Sequence, residues 1–201
     1  MPIALSVVAL LVGLSPAVFA TTITTANGRS SSSAMSSAGD QVLSGKQLVL
    51  RDSPDLAKRG ISGGSKDPTI TLGGGNGSAD DPTLFGGSVR VRTATGDRFD
   101  STYNLPKAGW TTIGTPGRNK GYRFTSKAGP IRRVVVIPGR RVKVIGTGAF
   151  TATLSTNPNR VAVVLRTGAR RYCGEFGGVA PFQAGTRCSA KDSPAPANPL
   201  R

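Results

Sequence analysis

Cys173, Cys188, Glu175 and nine aspartates carry the acidic and thiol chemistry of this 201-residue chain, which has no histidine. Without histidine there is no Ser-His-Asp or Cys-His nucleophile, no imidazole general base and no imidazole metal ligand. Two cysteines alone do not complete a four-ligand zinc site. Asp97 and Asp100 flank Phe99, and Asp80-Asp81 lie upstream. A glycosidase needs two such carboxyls a few ångströms apart with split pKa values. Nothing in the spacing brings these four together, so solvated turn positions are expected and no catalytic residue is assigned. Residues 73–81 (GGGNGSADD) have the Gly/Asp character of a calcium loop, in which carboxylate and amide oxygens ligate and glycine lets the backbone wrap. The spacing misses the nonapeptide repeat and there is no second copy to stack on. A loop ending in an Asp-Pro turn is therefore expected, with no metal and no cofactor.

Basic residues are the other chemical resource. The chain has 26 Lys+Arg against 10 Asp+Glu, a formal net charge of +16. Thr21–Asp100 is nearly neutral, with nine basic and eight acidic residues, whereas Ser101–Ala190 has fifteen basic and one acidic. Arg123, Arg132, Arg141, Lys143, Arg166 and Arg170 alternate with apolar residues, which predicts outward faces rich in cations. Arginine dominates, and its planar fork grips phosphate and carboxylate in bidentate fashion. Such a face attracts polyanions: acidic polysaccharide, lipopolysaccharide phosphates or extracellular DNA. Aromatics are only 5% of the chain and no nucleic-acid motif is present, which argues against sequence-specific recognition. A solubilising surface that discourages edge pairing is the alternative.

The elements that must position these residues are strands. Gly 27 and Pro 14 punctuate the chain, and no segment carries a helical period. Strands are predicted at 47–50, 69–72, 88–93, 99–105, 110–113, 121–125, 131–137, 140–145, 150–154, 161–165 and 169–176. In 88–93 (SVRVRT) Val89 and Val91 face one side and Arg90 and Arg92 the other. Pro138-Gly139, Asn157-Pro158-Asn159 and Thr167-Gly168 are turn signals, and such signals recur about every 8–12 residues. This spacing predicts an all-β fold, an antiparallel β-sandwich with a β-barrel as the alternative.

The N-terminus reads as an address. Met1–Leu14 is an uncharged apolar run of signal-peptide length, and Val18 and Ala20 suit cleavage after Ala20. No second run of membrane length follows, so the mature protein is expected to have no transmembrane segment and to be periplasmic or extracellular. The expected organisation is a signal peptide at 1–20, a disordered Ser/Thr-rich linker at 21–42, a β-domain at 43–190 and an extended Pro-rich tail at 191–201. An oxidising destination favours a Cys173–Cys188 disulfide, worth about 3 kcal/mol for a loop of this size. Two unbridged cysteines are the alternative.

Several phrases occur in a telling order: Leu43-Ser44-Gly45-Lys46, Gly77-Ser78-Ala79-Asp80-Asp81-Pro82-Thr83, Asn119-Lys120-Gly121-Tyr122, Gly129-Pro130-Ile131, Arg171-Tyr172-Cys173, Phe176-Gly177-Gly178 and Ala190–Pro196. Together they resemble an uncharacterised β-rich module found in exported proteins of environmental bacteria. The resemblance spans residues 43–196. It implies export, a β-rich fold and no catalytic residues. Modules of this kind often finish with Cys-Pro where this chain has Asn198-Pro199, and Cys188 stands where an apolar residue is usual. From residues and resemblance alike, an exported, non-enzymatic structural or cell-surface interaction module is expected, with polyanion binding through the cationic face as the alternative.

Overall fold

The computed structural model describes residues 39–93, 95–115, 117–148, 150, 152–177 and 181–197. The expected signal peptide and residues 21–38 of the expected linker lie outside them. In chain order the strands are β1 (Asp40–Leu43), β2 (Gly45–Arg51), β3 (Gly60–Ser65), β4 (Gly87–Thr93), β5 (Asp100–Leu105), β6 (Trp110–Thr115), β7 (Arg118–Thr125), β8 (Ile131–Ile137), β9 (Arg141–Thr147), β10 (Arg160–Thr167), β11 (Arg170–Gly177), β12 (Phe182–Gln183) and β13 (Arg187–Ser193). One helical turn, α1 (Pro82–Phe85), precedes β4.

The strands form two open sheets rather than a closed barrel. One has the order β1-β11-β10-β4-β5, the other β12-β13-β2-β3-β9-β8-β7-β6. Every pairing is antiparallel except β1 with β11. The sheets stack on one apolar core. Val89, Val91, Val161, Val163, Leu165, Tyr172 and Phe176 come from the five-stranded sheet; Leu48, Leu50, Ile61, Tyr122, Phe124, Val134, Val136 and Val144 come from the other. A cavity of about 30 Å³ between the layers is lined by Val142 and Val144 on one side and Val163, Leu165 and Tyr172 on the other. Period-two alternation thus sets which side chains face the core and which face out.

The folded part overruns the expected boundaries at both ends. β1 starts at Asp40, within the expected linker, because Gln41 and Val42 pair along β11 opposite Tyr172 and Cys173. β13 runs on to Ser193, because Lys191 and Ser193 pair with Gln47 and Gly45.

Among the described residues, two expected strands are not formed. In 69–72 side chains satisfy the backbone: Gln41 Nε2 donates to the Thr69 carbonyl, Thr71 N donates to Gln41 Oε1 (3.1 Å) and the Tyr172 hydroxyl donates to the Thr71 carbonyl (2.8 Å). Ile70 is buried as a plug. Around 150–154, Phe150, Ala152 and Leu154 are buried in alternation as expected. Yet Leu154 N donates to Asp52 Oδ2 (3.0 Å) and the Leu154 carbonyl accepts from Gly185 N, so this segment joins no ladder.

Asp67 locks the start of the module to the turn after β3. It accepts from the backbone N–H and hydroxyl of Ser44 (3.1 and 3.0 Å) and from those of Thr69 (2.9 and 2.6 Å). The Thr69 hydroxyl is the main cause that holds the Asp67 carboxyl at about 2, below the ordinary 3.8. A carboxyl whose pKa is lower when folded stabilises fully above its unfolded pKa, and that stabilisation is lost as pH falls through the folded value. The shift corresponds to about 2 kcal/mol at neutral pH. Asp67→Asn is therefore expected to lose about that much at pH 7, and to show a flatter stability curve than the parent between about pH 4 and pH 2. Denaturant unfolding across that range checks it; equal pH slopes for the two proteins would refute it.

Candidate functional site

The outer faces of the two sheets treat charge differently. Registers place rungs of side chains across the five-stranded sheet: Asp40–Arg171–Arg166, Val42–Cys173–Val164–Arg90–Thr102, and Glu175–Ala162–Arg92–Asp100. Arg90, Arg92, Arg160 and Arg171 of this sheet meet carboxylates. Asp100 takes a bidentate grip from Arg90 (2.7 and 2.6 Å) and a looser contact from Arg92 (3.7 Å). The Arg90 guanidinium is the main cause that depresses the Asp100 carboxyl. Arg160 binds the buried Glu175, and Arg171 lies 3.4 Å from Asp40.

The eight-stranded sheet has a different outer face. Parity with the core puts Arg51 of β2, Lys143 and Arg141 of β9, Arg133 of β8, Arg123 of β7, and Arg187 and Lys191 of β13 outward, all exposed. No carboxylate occupies an outward strand position of this sheet, and none of these cations has an acidic partner among the described residues. One rung reads Lys191–Gln47–Gly64–Lys143–Val135–Arg123–Thr111. The stems of Lys143 and Arg123 flank Val135, which is 7% exposed although it faces outward. Another rung sets Arg51 directly opposite Arg187.

A trough runs through this face along β3, whose outward residues are Gly60, Ser62 and Gly64. Two depressions, of about 640 and 170 Å³, meet at Gln47 and Ser62. Arg51, Lys58, Arg59 and Arg187 border one end; Lys46, Lys66, Arg141 and Lys143 border the other. Three of these cations are paired: Lys46 with Asp192, Lys58 with Asp55 (3.4 Å) and Arg59 with Asp52 (3.2 Å).

The six cations expected from the sequence therefore do not converge. Arg123, Arg141 and Lys143 share the outer face of the eight-stranded sheet. Arg132 lies at the β8 bulge and donates to the Lys127 carbonyl. Arg166 belongs to the five-stranded sheet and donates from Nε to the Gly168 carbonyl (2.6 Å). Arg170 is tied to Thr71 Oγ1 (2.6 Å) and Gln41 Oε1 (3.3 Å), its guanidinium 5.8 Å from the Tyr172 ring centre. Charge density along the chain missed Arg51 and Lys66, which come from the near-neutral first half. Alternation in Gln47–Arg51 was the signal that could have placed Arg51.

The carboxylates serve as anchors. Asp97 accepts from the backbone and hydroxyls of Ser155 (2.5 Å from its N–H) and Thr156 (3.4 and 2.9 Å), and the Ser155 hydroxyl is the main cause that lowers its pKa. In the 73–81 loop, Asp80 accepts from Gly74 N (2.9 Å), and Asp81 from Gly77 N (2.8 Å) and from both Thr83 donors. These oxygens cap the loop's own N–H groups and α1. Among the described residues no three Cys, Asp or Glu side chains cluster as metal ligands. Nor is any helix among them long and apolar enough to cross a membrane.

The expected disulfide is not formed. Tyr172 and Phe176 point into the core, so Cys173 between them in parity faces the opposite side of β11; Cys188 belongs to the core itself. Cys188, on the eight-stranded sheet, lies between the two layers, whereas Cys173 faces the far side of the five-stranded sheet, a separation that disulfide geometry does not span. Burial pushes the Cys188 thiol up. No protein-family model, curated protein or solved structure matches the chain.

Both cysteines are expected to resist alkylation while the protein is folded. After unfolding without reductant, each molecule should take two alkyl groups by mass spectrometry. Molecules that take none would establish the bridge instead.

Proposed function

We propose that the chain is an exported, non-catalytic interaction module that binds polyanions through the outer face of its eight-stranded sheet. The observation that carries this reading is the sorting of charge. Arg90, Arg92, Arg160 and Arg171 of one sheet are matched by Asp100, Glu175 and Asp40, while the seven outward cations of the other have no carboxylate partner among the described residues. Unmatched cations on a flat surface sum to a positive potential that concentrates polyanions. Directly opposed like charges, such as Arg51 and Arg187, destabilise a strand pair, and an anion seated on them removes the cost. The apolar leader at 1–20 and the resemblance to exported modules support the location. The missing histidine, and carboxylates engaged as anchors, support a binding rather than a catalytic role.

Retention on immobilised heparin across a salt gradient tests the reading. The parent is expected to be retained and to elute as salt rises. Changing Arg123, Arg141 and Lys143 to Gln should lower the slope of log affinity against log salt by roughly one unit per lost contact. Changing Arg166 and Arg170 should leave it unaltered, because both belong to the five-stranded sheet and Arg170 is tethered as well. A parent that fails to bind at low salt, or two variant sets that behave alike, would overturn the proposal.

A further inference from the structure

Resting on that polyanion reading, we infer that the ligand is a linear acidic polysaccharide lying lengthwise in the β3 trough, clamped at one end by Arg51 and Arg187 and at the other by Lys66, Arg141 and Lys143. Diffuse attraction by a basic sheet would not require a groove; the inference commits to one.

Four observations support it. First, shape. β3 contributes only Gly60, Ser62 and Gly64 to the outer surface, while its neighbours contribute Gln47, Val49 and Arg51 on one side and Lys143, Ile145 and Thr147 on the other. β2 and β9 lie two strand spacings apart, roughly 10 Å between backbones. That admits one extended chain, and is narrower than a helix with its side chains. Second, charge position. Gly60 to Gly64 spans about 13 Å of strand. Unpaired cations stand at both ends and uncharged residues line the middle. A single small anion satisfies one end only; a chain with repeated acidic groups satisfies both.

Third, the Arg51–Arg187 rung lies beside Gly60, which adds no side chain of its own. The paired guanidiniums therefore border an open floor, where a carboxylate or sulfate accepts from both. Fourth, the lining is aliphatic, polar and basic. The lining residues include no aromatic. Single-stranded nucleic acid depends on aromatic platforms for its bases, so it fits this trough less well than a glycan.

The test uses the full chain and size-defined heparin oligosaccharides, with single-stranded DNA and polyphosphate of matched charge as competitors, all at one ionic strength. Ser62 sits where the two depressions meet and is exposed on a strand that tolerates aromatics. Ser62→Trp fills the trough and leaves every cation in place. It is expected to weaken oligosaccharide binding by about tenfold. Thr111→Trp, on the same face at the outer strand β6, should stay within about twofold of the parent. Should Ser62→Trp unfold, the double variant R51Q/R187Q carries the test, since it crowds nothing. It should weaken binding of long oligosaccharides more than that of a disaccharide.

A folded Ser62→Trp protein that binds like the parent would overturn the trough while leaving surface polyanion binding intact. DNA or polyphosphate binding as tightly as the glycan would overturn the choice of ligand. A parent that binds none of the three would overturn the underlying reading itself.

Discussion

Val89, Val91, Val161, Val163 and Leu165 meet Leu48, Leu50, Val134, Val136 and Val144 across one interface, and the parity of every strand follows from that contact. Each fully buried aliphatic side chain contributes about 1.5–3 kcal/mol. A one-residue slip in any strand would expose its whole apolar set, so register is tightly specified. The outward residues are then fixed without any interaction of their own. Cys173 faces away from the interior because Tyr172 must face it. Lys143 and Arg141 share a surface because Val142 and Val144 occupy the core between them.

That constraint also explains how charge is distributed. Topology joins β10 and β11 to β1, β4 and β5 in a sheet that holds Asp40, Asp100 and Glu175. It sends β7, β8 and β9 beside β2, β3 and β13, whose outward positions hold no carboxylate. The basic second half of the chain is thereby split. Part of it is neutralised on one sheet, and part joins Arg51 from the first half on the other. Surface ion pairs on the five-stranded sheet contribute little individually. Their larger effect is to leave one face of the molecule electrostatically quiet and the other not.

Legibility in the sequence followed the same logic. β4 and β9 were readable because alternation of valine with arginine or lysine is the direct imprint of a half-buried strand, and β10 because its continuous apolar run has the length of a central one. β3 was not, because GISGGS carries one large apolar residue and reads as loop. β13 was hidden by its polar outward residues, which mask the small buried Cys188 and Ala190. The 69–72 segment alternates like a strand but spends its backbone on Gln41 and Tyr172, partners that only the fold brings near. The parity of each cation was local information. Which sheet it would join was not, so Arg123, Arg141 and Lys143 were identified as outward while their assembly with Arg51 and Arg187 into one face was not. The disulfide failed for the same reason, since proximity along the chain says nothing about which face each sulfur takes.

β3 also separates what folding demands from what binding would demand. A Cβ on Gly60 would meet the Gly146 carbonyl at 2.4 Å, and one on Gly64 would meet the Val142 carbonyl at 2.8 Å. Both glycines are therefore required by the close approach of β9, and the floor of the trough comes with the sheet. Glycine there is no mark of a ligand. Ser62 is different, because the outward surface at its position is open and nothing in the pairing demands a small side chain. The same holds for Arg51 and Arg187, which face each other without a carboxylate although the sheet would be more stable with one. On the proposed reading, binding therefore rests on a small residue where a large one fits, and on paired cations where a salt bridge fits, rather than on the glycines that shape the groove.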